Sequence, residues 1–132
     1  EYVDKAISIL GMKANLNFID VSNVTNMEGL FEESAFCGDI SQWDVSSVVN
    51  MASLFKKSSF NSNISGWDVS NVTNMSEMFR EAAFDGNITK WKVHKTTNVS
   101  EMFTDSQIER NKCIPRWFFE ALKKNSEEYC KS

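Results

Sequence analysis

Several residue types in this chain recur at spacings that could support chemistry. Asp20, Asp44 and Asp68 stand 24 residues apart, a row of carboxylates of the kind that can gather a divalent cation. Calcium takes six to eight oxygen ligands, one carboxylate per repeat is sparse against that, and Lys92 ends the row. The spacing therefore supports a turn or capping role. Trp43, Trp67 and Trp91 keep the same step. Exposed, they would form a stacking stripe for sugars or peptides; buried, they would be a core column, the reading preferred for large residues at a repeat position. Asn26, Asn50, Asn74 and Asn98 read as a buried amide column that satisfies backbone groups in turns. His94 is the only histidine. It has no Ser or Cys partner motif, no Gly-rich phosphate loop and no carboxylate pair in a shared setting. The expectation is a chain that is not an enzyme and uses no cofactor or metal.

Cys37, Cys113 and Cys130 show no CxxC spacing, which argues against structural zinc. If one helix runs from Pro115 to about Glu128, its ends lie roughly 20 Å apart, too far for a Cys113–Cys130 disulfide. Free thiols are expected, which suits a reducing compartment. Net charge is −4 with pI about 5.0, against the basic surface that non-specific nucleic-acid binding requires. No apolar run approaches the roughly 18 residues of a membrane span, and nothing at the first residues resembles a signal peptide. The Asn-x-Ser/Thr sequons at Asn23, Asn63, Asn71, Asn87 and Asn98 would be by-products of the repeat in a bacterial chain, and glycan sites only in a chain of eukaryotic secretory origin.

What must position these residues is the repeat itself, WDVSNVTNMSEMFREAAFDGNITK over 67–90, with imperfect copies on either side. A period of 24 lies in the range of repeat architectures. Coil one spans 19–42, coil two 43–66, coil three 67–90, and coil four starts at Trp91 and fades after Ile108. Within each coil, spacings of three and four such as Val24, Met27, Leu30 and Phe31 predict a short helix, placed at 26–34, 50–58, 74–82 and 98–105. Thr25 and Glu28 suggest a capping box, with Thr73 and Thr97 at the same place. Ile40-Ser41, Ile64-Ser65 and Ile88-Thr89 predict short strands after turns; since Ile and the following Trp are three apart, a bend must lie between them, eased at Gly66. Strand and helix spacings differ, so the strand side is expected to be concave.

The ends depart from the repeat. Residues 1–18 read as an N-terminal cap, with a helix over 1–10, Gly11 as its C-cap, and Leu16 and Phe18 packed beneath coil one. Residues 109–132 read as a helical closing cap, opened by Pro115, with Trp117, Phe118, Ala121 and Leu122 on its apolar face and Lys123 and Lys124 in the later turns. Truncation at Lys112 should then expose the core edge.

The segments WDVSNVTNMSEMF and FDGNIT, with VSNVTNMEGLF and FCGDISQW in the first coil, resemble the BspA-like leucine-rich-repeat surface proteins and the related Mycoplasma-type lipoprotein repeat family of uncharacterised function. The resemblance covers roughly 16–103. It implies a leucine-rich-repeat-type solenoid, adhesion or partner binding, and no catalytic residues. At coil four, Lys92, His94 and Lys95 replace Asp, Ser and Asn. The fold class expected is α/β: one right-handed leucine-rich-repeat-like solenoid of about four coils, each a short helix plus a short strand, with helical caps. The function expected is recognition of another protein by a bacterial surface or secreted repeat protein; the alternative is an intracellular regulator or inhibitor of a partner enzyme. Solenoids bind through the positions that vary between coils. Ser41, Gln42, Ser65, Thr89 and Lys90 on the strand side are the candidates, with Lys92 and His94 of the odd fourth coil. Glu32, Lys56 and Arg80 mark the opposite, helical side; there Glu33, Lys57 and Glu81 alternate in sign, as do Glu32 and Lys56, and such ladders set register.

Overall fold

The computed structural model describes residues 2–130, and the surroundings of side chains up to residue 123. Among the described residues three helices form, α1 (Tyr2–Leu10), α2 (Gln107–Arg110) and α3 (Arg116–Cys130). Residues 11–106 contain turns and isolated parallel bridges, with neither helix nor strand among them.

The expected α/β leucine-rich-repeat-like solenoid is therefore not what forms. The segments 26–34, 50–58, 74–82 and 98–105 are not helices, and Ile40-Ser41, Ile64-Ser65 and Ile88-Thr89 are not strands. Without two layers of different spacing, the argument for a concave strand side also falls.

The reason lies in how the backbone amides are shared. In 27–34, Leu30, Glu32 and Ser34 donate to the carbonyls of Met27, Gly29 and Phe31, three residues back, giving overlapping four-residue turns. Their alternates donate out of the repeat: Met27 N–H to Asn50 O, Gly29 to Ala52, Phe31 to Leu54 and Glu33 to Lys56, at 2.8–3.0 Å. An α-helix would consume those amides internally four residues back. The same four-bond ladder joins 51–57 to 74–80 and 75–81 to 98–104. Asn26↔Asn50, Asn50↔Asn74 and Asn74↔Asn98 pair in parallel at its head.

Two left-handed residues per repeat make this geometry possible. Gly29, Ser53, Glu77 and Glu101 have φ of 65°, 57°, 56° and 53°, and Glu33, Lys57, Glu81 and Asp105 lie at 55–57°. They occupy the third place of the first and third turns, where a positive φ is required in type II geometry. An L-residue there costs about 1–2 kcal/mol, and the hydrogen bonds to the next repeat hold it in place. Turns with this handedness bring residues three and four apart onto one face, the spacing otherwise read as helix.

The core is a set of aromatic columns. Phe31, Phe55, Phe79 and Phe103 stack with centroid separations of 5.8, 5.6 and 5.7 Å. Phe36, Phe60 and Phe84 form a second column at 6.3 and 6.2 Å. Trp43, Trp67 and Trp91 are buried as expected. Each donates its backbone N–H to the isoleucine three residues earlier, Ile40, Ile64 or Ile88. That turn supplies the bend that puts both side chains in the core, and it requires no glycine: Gly66 has an ordinary φ and open space around its Cα.

At the amino end, Gly11 closes α1 with φ 102° and an N–H donated to Ile7 O at 2.8 Å. Val3, Ala6 and Ile7 are buried. Leu16 is buried as expected, whereas Phe18 is 61% exposed. Pairing already begins at 12–16, through Cys37 N–H to Met12 O, Asp39 N–H to Ala14 O, Leu16 N–H to Asp39 O and the Asn15↔Asp39 bridge. At the carboxyl end, Trp117, Phe118 and Ala121 of α3 are buried, while Leu122 is partly exposed. Lys124, Cys130 and residues 131–132 lie outside the described side chains. Cys37 and Cys113 are free.

Candidate recognition face

The polar rows are built by local turns. Asp20, Asp44 and Asp68 each accept, on Oδ1, the N–H and hydroxyl of the serine two residues on, with O···O distances of 2.6 Å. The serine hydroxyl is the main reason these carboxyls sit below the usual Asp value, with the serine N–H next. Lys92 lowers Asp68 further, which places it at the end of the row as the spacing predicts. The carboxylates thus serve turns, and among the described residues no cluster suited to a metal ion is present.

Asn26, Asn50, Asn74 and Asn98 do the same, accepting the N–H of Glu28, Ala52, Ser76 and Ser100 at 2.9–3.0 Å. They are half-buried or exposed rather than buried. They also supply the function assigned to a Thr25–Glu28 capping box. Thr25 instead gives its carbonyl to Val49 and Asn50 N–H.

The predicted binding residues fall into two groups. Ser41, Ser65 and Thr89 share one repeat position, on the turn between Ile and Trp rather than on a strand. Their hydroxyls donate to Asp39, Asn63 and Asn87 Oδ1 at 2.7 Å, leaving the hydroxyl oxygens as acceptors. Ser41 is half-buried, and Ser65 and Thr89 are exposed. The N–H and then the hydroxyl of Ser41 lower the Asp39 carboxyl. Gln42 and Lys90 occupy the next position in their repeats, and both are exposed; Gln42 N–H is held by Asn17 Oδ1 at 2.8 Å.

Lys92 and His94 are exposed in the fourth repeat, where the turn shifts by one residue. In the third repeat Val72 N–H bonds Val69 O, whereas in the fourth Thr97 N–H bonds His94 O at 3.1 Å. Thr97, not Thr96, is buried, and its hydroxyl donates to Val72 O at 3.2 Å. The odd letters of this repeat accompany a real change of backbone.

The opposite side carries a diagonal ion ladder. Lys56 Nζ lies 2.8 Å from Glu77 Oε1, and Arg80 bridges Glu77 and Glu101 at 3.2 and 3.0 Å. The hydrogen bond from Lys56 is the chief cause that lowers Glu77, and its partner raises Lys56. Charges do alternate here, but they pair through Glu77 and Glu101, which come from the left-handed positions.

Residues 4–117 match the family described as Mycoplasma protein of unknown function, DUF285. The chain belongs to that family. No curated protein and no solved structure matches it. The DUF285 match reaches Trp117, a residue the 24-residue period does not reveal, because it stands 26 after Trp91. Trp43, Trp67 and Trp91 donate Nε1–H to Leu16, Ile40 and Ile64 O at 2.9–3.1 Å, and Trp117 donates to Ile88 O at 2.9 Å. Its ring stacks on Trp91 at 6.2 Å. The sequence signal that could have found it is the sudden return of a tryptophan just after Pro115, where a fifth unit would be due. No helix among the described residues is long and apolar enough to cross a membrane.

Proposed function

We propose that this DUF285 chain is a non-enzymatic protein-recognition module of a bacterial surface or secreted repeat protein. The observation that carries the reading is the register of Ser41, Ser65 and Thr89: one polar side chain per repeat, at one position, each held by an Asx contact with a hydroxyl oxygen left to accept. Side chains fixed in advance lose little freedom on binding. Lys90 at the end of the third repeat and Lys92 and His94 in the fourth add exposed polar and cationic groups, so the partner surface that fits has donors and carboxylates. The surface or secreted setting is supported by the likeness of the WDVSNVTNMSEMF unit to BspA-like surface proteins.

The test is a pull-down from self and host lysates with the tagged chain beside a Ser65→Arg/Thr89→Arg/Lys92→Glu variant of unchanged Tm. A partner retained by the parent and lost by the variant supports the reading. A partner retained equally by both, or none from either lysate, overturns it.

A further inference from the structure

The hydrogen-bond ladder leaves one edge of the first repeat unfilled. In the second repeat the carbonyls of Asn50, Ala52, Leu54 and Lys56 each take an N–H from the repeat before, and the third and fourth repeats are filled in the same way. The equivalent carbonyls of the first repeat, on Asn26, Glu28, Leu30 and Glu32, receive no donor among the described residues. The segment 24 residues earlier is α1, whose amides are largely engaged within its own helix.

Beside this edge lies a pocket of about 280 Å³, lined by Val3 of α1 and by Val21, Val24, Met27 and Leu30. Val24 and Leu30 are half-exposed, whereas Val48, Val72, Leu54 and Met78 at the same positions are fully buried. Asp20 and Glu28 also line the pocket, beside Tyr2, Ile19 and Asn26, and no cationic residue does. Unpaired acceptors on alternate residues, an apolar socket and a negative rim coincide here.

We infer that this edge binds a basic peptide segment of a partner protein, by backbone pairing. N–H groups on alternate residues of the peptide fill the four carbonyls, an apolar side chain enters the pocket, and Lys or Arg faces Asp20 and Glu28. This is the logic of adding a strand to an open sheet edge, transferred to a ladder of turns. The inference rests on the recognition reading but not on the hydroxyl row, so the two can fail separately.

A suitable probe is a fluorescein-labelled peptide of sequence VVNMASLFKKSSF, which carries two lysines and, as residues 48–60, makes this donor pattern toward the third repeat. Anisotropy titration against the full chain should saturate below about 1 mM and weaken as salt rises. N-methylation of the amides corresponding to Met51, Ser53, Phe55 and Lys57 should reduce affinity at least about tenfold, as should Glu28→Lys at an exposed site of the protein, measured at a temperature where calorimetry shows the variant folded. The Ser65→Arg/Thr89→Arg/Lys92→Glu variant should bind the peptide like the parent. No saturation, indifference to N-methylation, or loss of binding in the hydroxyl-row variant alone overturns the edge as the site.

Discussion

The two ends of the repeat array face the same problem and meet it differently. At the carboxyl end the chain imitates the side chains of the missing repeat: Trp117 takes the next place in the indole column, Phe118 meets Phe103 edge-on at 5.1 Å, and Glu109 Oε1 accepts the N–H of Asp105, while Val99, Glu101 and Phe103 N–H have no acceptor among the described residues. At the amino end α1 covers apolar surface with Val3, Ala6 and Ile7 but supplies no partner for the carbonyls of 26–32. Met102 is fully buried at one end, and Leu30, its counterpart, is half-exposed at the other. Burying apolar area and continuing a hydrogen-bond pattern are separable tasks: among the described residues the carboxyl end completes the first and makes one bond in four of the second, whereas the amino end covers apolar surface and makes none of the four.

The strongest way to break this contrast is truncation after Lys112. Loss of Trp117, Phe118 and Ala121 together should leave an insoluble or non-cooperative chain by calorimetry, whereas removal of residues 2–10 should leave a cooperative transition at lower Tm. A soluble, cooperatively melting truncation at Lys112 removes the asymmetry. Next, Trp117→Ala should cost about 3–5 kcal/mol in chemical denaturation, close to Trp91→Ala and well above Ile7→Val at about 0.5–1.5 kcal/mol. A cost for Trp117→Ala near that of Ile7→Val would make α3 a mere lid.

The ladder is tested by smaller changes. Ser53→Gly relieves a left-handed serine and should be neutral or stabilising by up to about 1 kcal/mol, whereas Ser53→Val should destabilise by about 1–2 kcal/mol. Equal effects would mean that the left-handed conformation is not required. Acid gives the mildest test. Asp20, Asp39, Asp44, Asp68 and Glu77 all have folded values below their ordinary ones. Their contribution is complete above the ordinary carboxylate range near about 4 and is lost as pH falls through the lowered values. Tm should therefore hold from neutral pH to about 5 and drop below about 4, with Ser46→Ala, which frees Asp44, reducing the drop by no more than about 3 °C. A Tm that rises on acidification contradicts the sign.

How much of this could be read from residue types alone follows from particular positions. The period was legible because Trp43, Trp67 and Trp91 and the Phe columns must meet their own copies, and the buried role of the indoles followed. The turns were not legible as turns. Met27, Leu30 and Phe31 keep helical spacing in either geometry, and the positions that decide between them are occupied by Ser53, Glu77, Glu101, Glu33, Lys57 and Glu81. Only Gly29 announces a positive φ by its type. That Ser41, Ser65 and Thr89 share a repeat position follows from their spacing, yet their support was misread: an Asx contact on a turn, not a strand, holds each hydroxyl. The open carbonyls of 26–32 have no side-chain signature at all, since every residue type carries the same acceptor.

The ladder also has a direction in time. The alternate amides of 27–33, 51–57 and 75–81 are donated forward, from an earlier repeat to a later one, while Val49, Asn50, Thr73, Asn74 and Asn98 at the head of each turn run donate back. A chain emerging from its amino terminus therefore presents, at each stage, a newest repeat whose outward amides have nothing yet to bind. Each block of 24 residues completes the ladder of the one before it, and beyond the last Glu109 takes the Asp105 amide while Trp117 covers the aromatic column. Synthesis that stalls before α3 leaves a growing edge of unpaired donors above an uncovered aromatic column, a surface suited to joining the same segment of another unfinished chain.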